Sequence, residues 1–281
     1  MKLSLALSGL LFALCVPSWA QNPDNERIVV PARNSTRPRK LDVKLMSGSI
    51  TVKAYAGKDV IVETTHADSA RSKGRPSKTK EKEEARDAAA RAEGLHRIDG
   101  TPRGLTVEEA DNVITVRAPL HSAHLTISVP ADTSLTLHTL SGAIEVEGVK
   151  GEFDLDSLNG PITLNNISGS VLAHSMNGTI KATLDAVDPA KPLSFSTMNG
   201  TIDVTTPADF KANLKLRTDH GAIYSDFEMK LGPGLVSEKN NTPDGKFRVK
   251  LDHTISGAVN GGGAEASFKT YNGTIYLRKK K

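Results

Sequence analysis

The sequence predicts an all-β fold, a β-solenoid or β-helix-like stack of short strands with a rung of roughly 18 residues. Three observations predict it. Glycine recurs every nine residues from Gly142 through Gly151, Gly160, Gly169 and Gly178. Apolar residues follow at fixed distances after each of the first four. A corner phrase, "SMNGTI" at Ser175, returns as "TMNGTI" at Thr197 and "TYNGTI" at Thr270.

Ile144, Val146 and Val149 follow Gly142. Phe153, Leu155 and Leu158 follow Gly151. Ile162, Leu164 and Ile167 follow Gly160, and Val171, Ala173 and Met176 follow Gly169. The two-residue alternation is a strand with one buried face. The step of three that follows it marks either a bend around a coil or a hairpin reversal. A two-residue hairpin pairing Leu155 with Ile162 would centre on Leu158-Asn159, and Leu suits the φ > 0 of a type I′ turn poorly. A bend buries the seventh residue and leaves glycine at the corner. The solenoid is therefore preferred, with a meander of four-residue loops left open.

The full corner phrase is [Ser/Thr]-x-[Asn/Ser/His]-Gly-x-[Ile/Val]. Copies begin at Thr139, Ser157, Ser175, Thr197, Thr218, Thr254 and Thr270, with a cousin at residues 45–50. A spacing of 18 makes each phrase one corner per rung. Longer spacings imply loops such as residues 188–192, and "NGGGAEA" (260–266) reads as a flexible connection. Each coil needs neighbours to bury its strands.

The first twenty residues read as a signal peptide: Lys2, an apolar run from Leu3 to Val16, then Ser18 and Ala20 before Gln21. The run is too short for a comfortable membrane span, and an uncleaved N-terminal anchor is the alternative reading. Leu14 before Cys15 argues against lipidation. Cleavage would remove Cys15 and Trp19, the chain's one cysteine and one tryptophan. The mature chain, residues 21–281 as a single domain, then has no disulfide and no thiol chemistry. The expected setting is exported, either periplasmic or cell-surface.

Residues 28–64 read as strands, with alternation at Leu41–Leu45, Ile50–Val52 and Val60–Val62. They form a first coil or cap. Residues 66–100 form a charged insert, a basic stretch followed by helix formers over 80–93 with Gly94 as a stop. It reads as a helical or disordered, solvated segment. The N-terminal strands and the final "GTIYLRKKK" strand are the candidate end caps, since open strand edges need covering. The four basic residues 278–281 read as a solvated tail, with at most peripheral membrane contact.

The phrases "LSGAIEVEGVKGEFDLDSLNGPITLNNISGSVLAHSMNGTI" and "RTDHGAIYSDF", with the upstream "LTISVPADTSLTLHT" and "DNVITVRAP", resemble the bacterial adhesin-like β-strand-repeat family, an exported domain of unknown function. The likeness runs from about Ile28 to the C-terminus, apart from the insert. It implies a β-helix-like domain and an envelope setting, with some members tied to surface stress, and supplies no catalytic residues.

Chemistry is sparse. If Phe153 and Leu155 point inward, Asp154 and Asp156 share an outer face, as do Glu145 and Glu147. An 18-residue rung stacks His174 over Asp156 and places Lys181 two rungs from Glu145 through Thr163. Such carboxylates could serve proton transfer or hold Ca²⁺, but any soluble strand shows alternating outward charges. His121 and His124 lack a third zinc ligand. Basic residues without interleaved aromatics, on an exported chain, argue against nucleic acid. The expectation is a non-enzymatic envelope protein, with no catalytic, metal or cofactor residues and no cofactor. It would bind an envelope polysaccharide or an envelope protein. The alternatives are a stress-sensing regulatory module that meets its partner through the insert, and a polysaccharide-active β-helix enzyme using Asp154 and Asp156.

Overall fold

The computed structural model describes residues 25–33, 38–66, 105–118, 123–231, 238–241, 247–250 and 254–281. The described residues contain strands and turns and no helix. The expected signal peptide, nearly all of the charged insert with its expected helix over 80–93, and His121 lie outside them.

Each rung supplies two strands, and parallel pairing of successive rungs builds two facing rows. The central rungs follow the chain. Strands β8 (Thr133–Ser141) and β9 (Ile144–Glu147) make one rung, and β10 (Lys150–Asn159) leads into β11 (Ile162–Asn177). β11 continues through an edge at Asn166 (φ 52°) and serves both rows, pairing β9 with its first part and β10 with its second. β12 (Ile180–Ala186), β13 (Leu193–Asn199) and β14 (Ile202–Thr206) follow in the same way. The register is 18 residues, Gly151 against Gly169 and Ile144 against Ile162.

Both ends of the chain depart from sequence order. β2 (Arg39–Leu45) and β3 (Ile50–Tyr55) lie between β8–β9 and the rung of β6 (Val113–Ala118) and β7 (Ala123–Pro130). β21 (Glu265–Asn272) and β22 (Ile275–Lys279) lie between β13–β14 and the rung of β15 (Ala212–His220) and β16 (Ile223–Ser225). The final strand is therefore an interior rung and not the end cap the sequence suggested. Its corner phrase and alternating Ile275 and Leu277 demand two neighbours, and the lysines that suggested an edge lie at its extreme end.

The caps are antiparallel. β4 (Val60–His66) covers β7 and carries β1 (Asn25–Val30), while β5 (Thr106–Ala110) covers β6. At the far end β20 (Thr254–Val259) covers β15 and carries β17 (Lys230–Leu231). Antiparallel strands close the edges that would otherwise template pairing with another chain. The Thr254 phrase thus belongs to a cap and not to a corner. A separate hairpin joins β18 (Glu238–Asn241) to β19 (Phe247–Lys250).

The core is made of ladders. Ile50, Ile144, Ile162, Ile180, Ile202 and Ile275 follow one another in register, all buried, with Ile223 at the end. β-branched chains suit this pleated, fully buried surface. On the opposite row Phe195 and Phe268 stack inside. The Asn260 turn is pinned, its amide donating to the carbonyls of Ala208 (3.1 Å) and Phe210 (2.8 Å), so the expected flexible connection is a braced one.

Candidate functional site

The corner phrase builds the most distinctive surface of the molecule, and each of its positions has one job. Glycine lets rungs touch. A Cβ on Gly160 would lie 2.0 Å from the Gly142 carbonyl oxygen, and one on Gly178 would lie 2.1 Å from that of Gly160. The same column runs from Gly48 through Gly142, Gly160, Gly178, Gly200 and Gly273 to Gly221. Close approach, more than unusual φ, is the requirement at Gly160 and Gly178.

The Ser/Thr position is buried at Thr139, Ser157, Ser175, Thr197 and Thr270 and half-buried at Thr218. Ser175 Oγ donates to the Gly160 carbonyl (3.1 Å), Thr197 to Gly178 (3.0 Å), Thr270 to Gly200 (3.1 Å) and Thr218 to Gly273 (2.8 Å). These four hydroxyls satisfy themselves on the neighbouring rung, whereas the buried Thr139 hydroxyl has no partner among the described residues. The Asn position forms an exposed amide ladder, Asn177 donating to Asn159 (2.9 Å), Asn199 to Asn177 (2.8 Å) and Asn272 to Asn199 (2.8 Å).

The x position between them faces out. The nine-residue pattern assigned Leu158 and Met176 to the core, and the structure corrects this: they are 38% and 40% exposed. Their strands keep strict alternation, so the buried residue at that turn is Ser157 or Ser175, while Val149 and Ile167 in the other halves are buried as expected. Register places Met46, Leu140, Leu158, Met176, Met198 and Tyr271 side by side on successive rungs, all exposed. At a strand spacing of about 4.8 Å, the row is roughly 24 Å long. The signal for it was in the sequence: the x position is apolar in copy after copy, although it sits out of phase with the buried alternation.

Beside this apolar row runs a polar one: Arg117, Lys44, His138, Asp156, His174, Ser196 and Lys269. His174 does stack beside Asp156, and His138 flanks Asp156 on the other side, a neighbour legible from the same step of 18. A hollow of about 390 Å³ opens where the two rows meet near Lys44, Met46, His138, Leu140 and Leu158. On the opposite outer face Glu145, Thr163 and Lys181 stand in line as expected, continuing to Asp203 and the stacked rings of Tyr276 and Tyr224. Glu147 pairs with Lys53 (3.3 Å). The basic tail is not simply solvated, since Arg278 pairs with Asp203 and Lys280 with Asp185, each at 2.8 Å.

Other expected groups scatter. Asp154 has Thr136 and Leu172 as register neighbours. His124 shares a 2.8 Å hydrogen bond with Ser49. Among the described residues no three His, Cys, Asp or Glu side chains gather closely enough to hold a metal ion.

Comparison with known proteins gives a family and distant structural likenesses. The family model described as Toastrack DUF4097 matches residues 20–259. Solved structures similar to this chain include a candidate cell adhesion protein from Clostridium sporogenes, at 10% identity and TM-score 0.45, covering 91% of this chain and 99% of that one. A candidate adhesin from Bacteroides fragilis, at 10% identity, covers 91% and 97% with a TM-score of 0.34. One from Parabacteroides merdae, at 9% identity, covers 91% and 97% with a TM-score of 0.25. No curated protein matches.

Proposed function

The chain belongs to the Toastrack DUF4097 family, and from that premise we propose that it is a non-enzymatic exported envelope protein that docks an envelope protein partner along its exposed apolar row. The observation that carries this reading is the row itself. Met46, Leu140, Leu158, Met176, Met198 and Tyr271 stand exposed and contiguous along one edge of the solenoid. Single exposed apolar residues need no explanation, but a contiguous row of them supports an interaction surface.

Its chemistry favours a protein over a polysaccharide. Hydrated sugars are held by ring faces and directed polar groups, and this row offers one ring, Tyr271. Its three methionines are flexible, polarizable chains that repack against the apolar side chains of a partner. The neighbouring Lys44, Arg117 and Lys269 favour acidic groups beside that partner's apolar stripe. Asp156 between His138 and His174 adds polarity without an apparatus for bond cleavage.

The test is co-sedimentation of the purified protein with cell-wall and outer-membrane fractions, with and without protease treatment of those fractions. The supernatant is assayed for released sugar ends. The reading expects binding that protease treatment abolishes and that Met176→Asp with Met198→Asp weakens about tenfold or more. Binding that survives protease would give the partner's place to a polymer. Released sugar ends would overturn the non-enzymatic part of the reading.

A further inference from the structure

Arg39 opens β2 with its side chain directed inward, in register with Thr133. It is 6% exposed and is the one charged residue among the buried described residues. Both terminal guanidinium nitrogens, Nη1 and Nη2, are buried and have no hydrogen-bond partner among the described residues. Arginine does not shed its proton to escape such a position. A buried, unpaired guanidinium is costly, and buried charges are ordinarily matched by an opposite charge with hydrogen bonds.

The space for that match is adjacent. Arg39 lines a cleft of about 510 Å³ together with Ala32, Tyr55, Lys58, Pro130 and Asp132. That volume is in the range of small-ligand sites. Lys58 adds a second positive charge, and Asp132 is the one carboxylate residue in the described lining. Nearby polar groups are already engaged: Thr133 Oγ1 donates to the Pro130 carbonyl (2.7 Å), and Asp59 accepts from the Ala32 amide (3.1 Å). Among the described residues neither Nη1 nor Nη2 of Arg39 reaches an acceptor.

We propose that this cleft is an oxyanion-binding site, in which Arg39 pairs a carboxylate or phosphate group and Lys58 supplies a second charge. The planar fork suits two parallel hydrogen bonds to either group. Pairing there requires the guanidinium, whose Nη1 and Nη2 are buried, to turn toward the cleft. The site is at the opposite end of β2 from Met46, so it stands whether or not the apolar row docks a protein.

The experiment is calorimetric titration of the full chain with inorganic phosphate and, separately, with glucuronate, at constant ionic strength against a chloride control. Saturable binding of either anion above chloride is expected. Arg39→Met is expected to weaken it about tenfold or more, through loss of the buried charge. Lys58→Ala, at an exposed position, is expected to fold and to weaken it about threefold. Preference for phosphate points to a phosphoester source, and preference for glucuronate to an acidic sugar. If neither anion exceeds chloride, or if both variants bind as the wild type does, the proposal fails. If Arg39→Met does not fold, Lys58→Ala and the guanidinium NMR signals of the wild type under phosphate decide it: no change in either overturns the site.

Discussion

Phe195 and Phe268 stack in the solenoid interior with ring centroids 5.3 Å apart and planes 15° from parallel. One lies on β13 and the other on β21, whose strands are separated in the chain by the whole of β14 to β20. The contact exists because β21 and β22 slot between rungs that precede them in sequence. It joins the last strands of the chain to its centre.

Phe268→Ala should therefore cost more than a peripheral truncation. The side chain is fully buried, and removing a buried Phe costs about 3–5 kcal/mol. Urea unfolding measures it. A double-mutant cycle with Phe195→Ala should return a coupling of about 0.5–1.5 kcal/mol for the ring pair.

Gly178→Ala tests the corner column. The added methyl would meet the Gly160 carbonyl oxygen at 2.1 Å and the Ser175 hydroxyl at 2.8 Å. The backbone oxygen cannot step aside without parting two rungs. Overpacking of this kind costs about 1–3 kcal/mol or more, and thermal unfolding should show a lowered Tm. A variant as stable as the wild type would mean that the rungs are not held at this spacing.

Much of this architecture was legible in the sequence. The step of 18 gave the register that sets Asp156 beside His174, and the alternation gave the buried faces of β9, β10 and β11. Three features were not. Leu158 and Met176 fitted a nine-residue hydrophobic pattern, yet the buried place at that turn goes to Ser157 and Ser175, whose hydroxyls reach glycine carbonyls of the preceding rung. Hydrophobic pattern cannot register such a hydrogen bond. The order of the rungs was hidden for another reason. The phrases at Thr197, Thr218 and Thr270 are nearly interchangeable, so local sequence cannot say that Gly273 sits between Gly200 and Gly221. Arg39 was legible only as a basic residue among others, because nothing local distinguishes an inward arginine from an outward one at the mouth of a strand.

The ion pair between Lys191 and Glu152 (2.8 Å) ties the loop before β13 to β10. The Lys191 hydrogen bond, and then its charge, hold the Glu152 carboxyl below its ordinary value of 4.5. The same contacts hold Lys191 above 10.5. A depressed carboxylate stabilises the fold above its unfolded-state pKa, and that contribution is lost as pH falls through the folded-state value. A raised ammonium stabilises below its unfolded value and loses the contribution as pH rises through the folded one. Both side chains are largely exposed, so the effect on stability is small. Carboxyl NMR should find Glu152 titrating below 4.5 in the wild type and moving upward in Lys191→Met. An unchanged titration would mean that the pair does not persist in solution.

Deleting residues 264–281 separates an interior rung from a cap. β21 pairs with β13 on one side and β15 on the other, and β22 pairs with β14 and β16. In a stack where each rung is stabilised by its neighbours, losing a terminal cap frays one end. Losing this rung leaves β15 and β16 with no rung to rest on and strips the partner from Phe195. Hydrogen exchange should then lose protection throughout residues 193–225 while residues 133–177, which pair among themselves, keep theirs. Loss confined to the residues next to the deletion would instead show that β15 and β16 can close directly onto β13 and β14. The return of the chain end to the middle of the stack would then be dispensable, and the glycine column could re-form with Gly221 against Gly200.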